Sequence, residues 1–278
     1  MDLQQLEERS REMRASILRS VAAAGSGHPG GSLSCIDVLC ALYFGGVLHH
    51  DPANPDDPAR DRFVMSKGHA APALYAALAH SGYFPVDELL TLRKLGTRLQ
   101  GHPDCQLLPG VEVSTGSLGQ GLSIAAGMAA GLRLDGSDAT VFTLMGDGEC
   151  QEGQVWEAAM FAAHQGLDNL VAVIDRNELQ IDGFTADVCD PGDLAQKLAS
   201  FGWAVSEVDG HDIAAVLDAL THAKAARAGR PSAIVAHTVK GKGVSFMENQ
   251  AGWHGKAPNA EQLACALNEL GFDDSMEA

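Results

Sequence analysis

The pattern of apolar and polar positions predicts alternating helices and buried strands along nearly the whole chain. Residues 3–24 repeat apolar side chains at helical spacing, which indicates an amphipathic helix. Short apolar or β-branched runs, typical of strands, recur further along. They are residues 62–65, 140–145, 170–174, 203–208 and 232–237. Further helices are predicted around these runs, at residues 36–44 (with Ser34 as a candidate cap), 71–80, 87–95, 121–132, 154–165, 192–200, 212–228 and 259–271.

This alternation predicts an α/β fold, with a mostly parallel sheet and helices on both of its faces. The sequence shows no repeat of fixed period and no linker-like composition. We therefore expect residues 1–278 to form a single domain. In an open parallel sheet, ligands bind outside the carboxyl ends of the strands, so residues that directly follow strands are the first candidates for function.

Composition narrows the class of protein. Hydrophobic residues make up 46% of the 278 positions, which is enough for a sizeable core. The formal net charge of −17 leaves no basic stripe for nucleic acid, and an acidic solvated surface is its ordinary explanation. The six cysteines form no CxxC pair, the N-terminus lacks the apolar core of a signal peptide, and no apolar run reaches transmembrane length. We expect a cytoplasmic protein with reduced thiols that binds neither nucleic acid nor membrane.

Oxygen donors follow two of the predicted strands. Asp147 lies within the segment Gly146-Asp147-Gly148-Glu149, directly after one strand, and Asn177 closes the next strand at Asp175-Arg176-Asn177. Carboxylate and amide oxygens are hard ligands that suit Mg²⁺ or Ca²⁺. The glycines beside Asp147 allow a phosphate to approach the backbone closely. These features predict a pair of loops that holds a metal-bound diphosphate.

Four histidines lie in loops beside glycine or proline. They are His28, His69, His102 and His254. A single loop histidine is usually a surface residue, but four in such loops suggest a site rich in proton donors and acceptors. Zinc is the alternative, and it favours ligands at i,i+3 or i,i+4 spacing or in CxxC pairs, which this sequence does not provide.

A glycine-rich segment, Ser114 to Gly121, opens the predicted helix at 121–132. Its glycines have GxxGxG spacing rather than the GxGxxG of a dinucleotide fingerprint, and no strong strand precedes it. A turn that opens a helix is the simpler interpretation.

These segments together resemble the transketolase family, specifically its amino-terminal half, which binds the diphosphate of the cofactor. The matching segments run in family order over nearly the whole chain. They are Gly27-His28-Pro29-Gly30, Ser66-Lys67-Gly68-His69-Ala70, Gly101-His102-Pro103, Ser114 to Gly121, Gly146 to Gly153 with Trp156-Glu157-Ala158, Asn177 with Ile181-Asp182-Gly183, and Lys240-Gly241-Lys242-Gly243. The family's metal segment often ends in Asn-Asn where this chain has Arg176-Asn177, and the second position is the ligand.

The resemblance implies thiamine diphosphate together with Mg²⁺ or Ca²⁺. It implies that Asp147, the side chain of Asn177 and the main-chain carbonyl of Leu179 are metal ligands. Gly148 would hold the diphosphate through its backbone. The remaining implied cofactor contacts are His69, Gly116, Leu118 and His254.

The resemblance also assigns the histidines to catalysis. His28, His102 and His254 match histidines that line the substrate channel, and Arg93 matches a channel arginine. Family members transfer a two-carbon ketol unit from a ketose to an aldose, commonly as sugar phosphates. Neutral imidazoles near pH 7 suit the proton movements that several hydroxyl groups require.

The resemblance further implies a partner. Family members of full length supply, from their second half, the glutamate that protonates the cofactor's aminopyrimidine and the domain that holds that ring. Glu152 matches a glutamate near this catalytic group at the subunit interface. We expect this chain to be the N-terminal subunit of a split transketolase. It would be inactive alone and would form an α2β2 heterotetramer with a separate C-terminal subunit.

Two other functions stay open. The chain is alternatively a subunit of another thiamine-dependent enzyme, a 2-oxo acid dehydrogenase or a deoxyxylulose-phosphate-type synthase. The set of His28, His102 and His254 favours sugar hydroxyls instead. A non-enzymatic relative that binds the cofactor or a partner is the third possibility, and the intact Asp147 and Asn177 speak against it.

Overall fold

The strands assemble into one five-stranded sheet in the computed structural model, which describes residues 1–272. In chain order the strands are β1 (Arg62–Met65), β2 (Val141–Gly146), β3 (Leu170–Arg176), β4 (Leu179–Gln180), β5 (Gly183–Phe184), β6 (Ala204–Asp209) and β7 (Ser232–His237). The sheet order is β1-β2-β3-β7-β6, and each neighbouring pair is parallel. Strands β4 and β5 pair separately as a small antiparallel hairpin. The predicted α/β sheet is confirmed.

Helices precede, connect and follow these strands. They are α1 (Leu3–Ala24), α2 (Pro29–Ser34), α3 (Ile36–Phe44), α4 (Ala71–Ser81), α5 (Gln120–Leu134), α6 (Gly153–His164), α7 (Thr185–Val188), α8 (Leu194–Ser200), α9 (Ile213–Ala225) and α10 (Ala260–Glu269). Shorter 3₁₀ turns occupy Gly68–Ala70, Val86–Thr91, Gly148–Gln151 and Ala251–Trp253. No helix within residues 1–272 is both long enough and apolar enough to cross a membrane.

The sheet separates two apolar cores. Val171 and Val173 of β3 pack into one core with α1, α3, α4 and α9, whereas Leu170, Ala172 and Ile174 pack into the other with α5, α6 and α8. Successive strand residues point to opposite faces, so a strand that is apolar throughout requires cover on both sides. The prediction of helices on both faces is therefore confirmed.

Two local predictions were wrong. The predicted helix at 87–95 is only a 3₁₀ turn, Val86–Thr91; Leu92 is extended and Arg93 has a left-handed φ of 58°. Ser34 does not cap α3. It ends the short helix α2, and its hydroxyl donates to Asp175 Oδ2 at 2.7 Å, so a distant buried carboxylate outcompetes the local cap.

The register of the sheet brings three loops to one edge. Gly146 at the end of β2 pairs with Asp175 of β3, and Arg176 pairs with His237 at the end of β7. The backbone N–H of Asp147 donates to the Asp175 carbonyl at 3.2 Å. The loops that follow β2, β3 and β7 therefore start side by side at the carboxyl edge of the sheet.

Candidate functional site

A cleft of about 340 Å³ opens at this edge, within the size range of small-ligand sites. Its walls come from the loops after β1, β2, β3 and β7 together with the start of α2. The predicted site residues that line it are His28, His69, Gly116, Leu118, Asp147, Gly148, Glu152, Asn177, Leu179 and His254. Of the predicted site residues, His102 and the predicted channel arginine Arg93 do not line the cleft directly.

Asp147 forms the centre of one side. Its Oδ1 accepts from the backbone N–H of Gly148 at 2.8 Å, and its Oδ2 accepts from the N–H of Glu178 at 2.6 Å. Burial, and then the nearby Asp175 carboxylate, raises the pKa of Asp147 to about 6. A cation bound here would favour the ionised form.

Asn177 and Leu179 continue this side. The amide nitrogen of Asn177 must face Asp175 Oδ2, at 2.9 Å, because a carboxylate only accepts. Its Oδ1 accepts from the backbone N–H of Leu179 at 3.2 Å. We call Asp147, Asn177 and Leu179 the oxygen floor, because each contributes an oxygen of the kind that Mg²⁺ and Ca²⁺ bind.

Asp175 lies fully buried beneath the oxygen floor. Besides Asn177, it accepts from Lys67 Nζ at 2.5 Å, from Ser34 Oγ at 2.7 Å and from the Thr238 hydroxyl. Burial alone would raise its pKa, but the Lys67 ammonium and these hydrogen bonds hold the pKa of Asp175 below its usual value. Asp175 and Lys67 were not predicted as site residues, although both lie within segments that the sequence marks as functional.

The buried carboxylate of Glu149 accepts hydrogen bonds from three different positions around the cleft. It accepts from the hydroxyl of Ser66, from the N–H of Gly119 at 2.9 Å and from the N–H of Gly146 at 3.1 Å. Burial raises the pKa of Glu149. All three partners donate, so the carboxylate form is the one that satisfies the network.

The glycine segment needs its glycines for two reasons. Gly116 has a φ of 145° and Gly119 a φ of 83°, both in the left-handed range. A Cβ at Gly116 would also lie 3.0 Å from Cδ2 of His102. The helix-opening turn predicted from the sequence is present, since Gly119 caps α5.

Three histidine rings meet on the opposite side of the cleft. The ring centroids are 5.3 Å apart for His28 and His69, 5.4 Å for His28 and His254, and 5.0 Å for His69 and His254. We call these three residues the histidine rim. The Nδ1 atom of His254 is buried and has no hydrogen-bond partner within residues 1–272.

Burial is the main cause of low pKa values in the histidine rim. It lowers the pKa of His28 to about 4 and that of His254 to about 3, with smaller contributions from nearby cations. The pKa of His69 is also well below its ordinary value, through burial and then Lys67. All three imidazoles are therefore neutral near pH 7, so each ring has one donor and one acceptor nitrogen.

His102 and Arg93 border the histidine rim. Nη2 of Arg93 lies 3.4 Å from Nδ1 of His28 and 3.5 Å from the Gly101 carbonyl. His102 is the most exposed of the four predicted histidines and packs beside Gly116. Desolvation, and then the Arg93 guanidinium, lowers the pKa of His102.

Lys240 is a cleft residue that was predicted only as part of a segment. Its side chain is buried, with 2% of its surface exposed, and Nζ donates to the Leu179 carbonyl at 2.7 Å. Burial, and then Lys67, lowers the pKa of Lys240 to about 8. The alternation of lysine and glycine at 240–243 was the available signal.

The open border of the cleft is partly apolar. Leu118 is 36% exposed and Ile181, on the β4–β5 turn, is 68% exposed. Glu152 is also exposed there, and a Cβ at Gly119 would approach its Cβ to 2.6 Å.

This donor set fits a diphosphate held through a divalent cation. The oxygen floor offers one carboxylate, one amide oxygen and one carbonyl, a combination typical of Mg²⁺ and Ca²⁺ sites. The ammonium of Lys240, which lines the cleft, supplies positive charge for phosphate oxygens. Gly148 also lies in the cleft wall, and its N–H already donates to Asp147 Oδ1. The unpartnered Nδ1 of His254 leaves a polar atom for a ligand on the other side of the cleft.

Known proteins are similar to this sequence over nearly its whole length. The family described as the transketolase, thiamine diphosphate binding domain matches residues 7–277. The chain is 46% identical over 265 residues to the 6-deoxy-6-sulfo-D-fructose transketolase subunit SqwG of Clostridium sp. (strain MSTE9), covering 95% of this chain and 96% of that protein. It is 42% identical over 270 residues to an apulose-4-phosphate transketolase subunit of Phocaeicola vulgatus, covering 97% and 95%.

Solved structures of longer proteins share the fold. Transketolase from Campylobacter jejuni superposes with a TM-score of 0.92 at 34% identity, covering all of this chain and 44% of that one. Transketolase from Leishmania mexicana gives a TM-score of 0.91 at 33% identity, covering 98% of this chain and 42% of that one. The chain thus spans less than half the length of these two transketolases.

Proposed function

The chain belongs to the transketolase family, and we propose that it is the thiamine-diphosphate-binding subunit of a two-chain transketolase. Its reaction would transfer a two-carbon ketol unit from a ketose, or ketose phosphate, to an aldose acceptor. The observation that carries this proposal is the cleft itself, in which the oxygen floor faces three neutral imidazoles. Such a cleft combines a site for a metal-bound diphosphate with groups suited to sugar hydroxyls.

The oxygen floor would hold the metal, Mg²⁺ or Ca²⁺. We assign Asp147, the Asn177 side chain and the Leu179 carbonyl as its ligands, with the Gly148 backbone and Lys240 on the diphosphate. Support comes from the hydrogen bonds that already orient Asp147 and Asn177 and from the buried Lys240 side chain in the wall of the cleft. We assign His69, Gly116, Leu118 and His254 as further cofactor contacts. When bound, thiamine diphosphate supplies an electron sink for the cleavage of a carbon–carbon bond.

The histidine rim would handle the protons of the substrate. A neutral imidazole can accept a proton from a hydroxyl at one nitrogen while donating a hydrogen bond from the other. We assign this role to His28 and His254, with His69 shared between substrate and cofactor. His102 would act at the border of the channel, and Arg93 would orient His28 through their 3.4 Å contact.

A second subunit would complete the site. Two relatives that match this chain over nearly their whole lengths are named as transketolase subunits. We propose that a C-terminal subunit supplies the catalytic glutamate and a pyrimidine-binding domain. It would cover the border formed by Leu118, Glu152 and Ile181, with Glu152 near the catalytic glutamate, and two such pairs would form an α2β2 heterotetramer.

The remaining features of the proposal concern organisation and location. We propose that the chain forms one domain, because both apolar cores share the same sheet. We also propose a cytoplasmic location. Its support is that the six cysteines, all within residues 1–272, are free thiols.

Reconstitution tests the function. The chain is purified alone and with the transketolase C-terminal subunit encoded nearest to it, and ketol transfer is measured with thiamine diphosphate and Mg²⁺. We expect activity only when both subunits are present, and the Asp147→Asn chain serves as the inactive control. Robust turnover by the isolated chain would contradict the two-chain proposal.

A substrate panel separates the alternatives. It contains ketose phosphates, a sulfonated ketose and pyruvate, each with an aldose acceptor where one is needed. Turnover of ketoses supports the proposal, whereas turnover of pyruvate alone would favour another thiamine-dependent enzyme. If calorimetry detects no cofactor binding to the assembled subunits, the chain is a non-enzymatic relative.

A further inference from the structure

A second buried charge network lies behind the cleft, between α1, α3 and the loop after β6. Arg14 of α1 and Asp37 of α3 are 6% and 4% exposed. Nη1 of Arg14 donates to Asp37 Oδ1 at 2.9 Å, and Nη2 donates to Oδ2 at 2.5 Å. Ser10 adds a hydrogen bond from its hydroxyl to Oδ1. The pair is thus bidentate and geometrically well defined.

His211 extends the network toward the loop that follows β7. Its Nδ1 lies 2.7 Å from Asp37 Oδ2, and the backbone N–H of Val239 donates to its Nε2 at 2.8 Å. A ring that accepts at Nε2 and faces a carboxylate at Nδ1 must be neutral, with its proton on Nδ1. Asp37 therefore fixes both the tautomer and the orientation of His211.

Arg14 reaches the same loop at a second point. Its Nε donates to the Lys242 carbonyl at 3.2 Å. Gly243 allows this approach, because its φ is 93° and a Cβ there would lie 3.2 Å from Cδ of Arg14. The network therefore holds the loop at Val239 and at Lys242, on either side of Lys240.

The three residues of this network do not touch the cleft directly. Arg14, Asp37 and His211 are absent from the walls of the cleft within residues 1–272, whereas Lys240 lines it. The Lys240 ammonium sits at the Leu179 carbonyl at the end of a long flexible side chain. The position of the Lys240 ammonium therefore depends on the backbone of residues 239–242. The hydrogen bonds of the network hold that backbone in place.

We infer that Arg14, Asp37 and His211 are positioning residues that set the location of the Lys240 ammonium in the cofactor cleft. This inference rests on the proposed function, in which Lys240 holds the diphosphate. A bidentate guanidinium–carboxylate pair that fixes one neutral imidazole defines the loop more rigidly than a flexible surface contact does. Supporting groups of this kind often change cofactor or metal affinity without touching the ligand.

Variants at His211 separate its two hydrogen bonds. His211→Asn keeps a donor at the position of Nδ1, facing Asp37, but has no acceptor for Val239. His211→Gln keeps an acceptor near the position of Nε2 and loses the donor to Asp37. The matched control is His222→Gln, because His222 is exposed on α9 and bonds only within its own helix.

The readout is the dissociation constant of thiamine diphosphate with Mg²⁺, measured by calorimetry on the two-subunit complex. Loss of one well-defined hydrogen bond predicts about tenfold weaker binding for His211→Asn. We expect a smaller change for His211→Gln and none for His222→Gln. Thermal unfolding of each complex checks that the fold is retained.

A double-mutant cycle with Lys240→Met tests whether His211 affects cofactor affinity through Lys240. If His211 acts through Lys240, His211→Asn weakens binding by less than about twofold once Lys240 is replaced. Additive losses, or wild-type affinity in His211→Asn, would overturn the inference. If the wild-type complex itself binds no thiamine diphosphate, the proposed function fails instead, so the two failures are distinguishable.

Discussion

The two sides of the cleft are built in opposite ways. In the oxygen floor, Asp147 accepts two backbone N–H groups and Asn177 uses both ends of its amide. In the histidine rim, the rings of His28, His69 and His254 mainly contact one another, and a buried nitrogen of His254 has no partner within the described residues.

Folding pairs the polar groups of the oxygen floor with neighbouring protein groups, whereas the histidine rim keeps an unpaired nitrogen within the described residues. If a metal and a sugar bind as proposed, the floor needs little further ordering to take the ion, because hydrogen bonds already orient Asp147 and Asn177. The rim nitrogens, apart from Nδ1 of His28 beside Arg93, would then meet the substrate hydroxyl groups. Changes in the floor should therefore act on folding and cofactor affinity, and changes in the rim on turnover.

The largest effect is expected beneath the oxygen floor. Lys67→Met leaves the Asp175 carboxylate buried without its cation, which should lower the free energy of unfolding by roughly 3–5 kcal/mol. Urea unfolding measures the loss. Replacing both partners, as Lys67→Met with Asp175→Asn, should be milder, because no buried charge is left unpaired. Equal losses in the two variants would argue against the ion pair as the cause.

Asp147→Asn should have the next largest effect, and it should weaken the binding of the metal and the cofactor. It removes the only carboxylate of the floor, and since even supporting residues around metals change affinity by about 10–100-fold, we expect at least roughly 100-fold weaker binding of Mg²⁺ and thiamine diphosphate. Calorimetry on the two-subunit complex measures this. Glu178→Gln is the control, because Glu178 contacts Asp147 only through its backbone N–H. An unchanged affinity would remove Asp147 from the metal site.

His28→Asn should leave cofactor binding nearly intact and slow the reaction. Loss of a proton-transfer group costs about 100-fold or more in kcat, while cofactor affinity is expected to change by less than about threefold. Steady-state kinetics at saturating cofactor, alongside calorimetry, separates the two quantities. If cofactor affinity falls as steeply as kcat, the division between floor and rim is not valid.

The smallest effect is a dependence of stability on pH that originates in the rim. Since the pKa values of His28 and His254 are lowered to about 4 and about 3, both rings are neutral in the folded and unfolded states at pH 7.5. As the pH falls below about 6.5, the unfolded chain takes up these protons first, so the folded state loses stability. Urea unfolding at pH 7.5 and 6.0 measures this change.

The double variant His28→Asn with His254→Asn provides the comparison. It lacks both titrating rings and should lose less stability between the two pH values than the natural chain. Identical losses would show that other groups cause the acid sensitivity.

Much of the fold was predictable from local pattern. The five strands of the sheet and nearly all of the longer helices lie within a few residues of their predicted bounds, because apolar side chains recur at strand or helical spacing. The prediction at 87–95 was wrong: Leu89, Leu92 and Leu95 recur at helical spacing, but Arg93 adopts a left-handed conformation that ends the turn. A tertiary contact, Arg93 N–H to the Leu99 carbonyl at 2.9 Å, accompanies that turn.

Residues of the candidate site were predictable from the sequence where a polar side chain directly follows a predicted strand. Asp147 and Asn177 end neighbouring strands, and the histidines stand out beside glycine and proline. Lys67 and Asp175 were missed, since they are 108 positions apart and nothing local marks them as a pair. The same holds for Asp37 and His211, which are 174 positions apart.

The amino-acid sequence was enough to predict the order of helices and strands, the edge of the sheet that carries the candidate site, and the types of side chain available there. These follow from periodicity and from the identity of residues after each strand, which are local properties. The three-dimensional structure was needed to show which polar groups are already paired, which nitrogen has no partner within the described residues, and which buried charges lie behind the cleft. Those depend on burial and on contacts between distant segments, and short-range pattern carries no information about either.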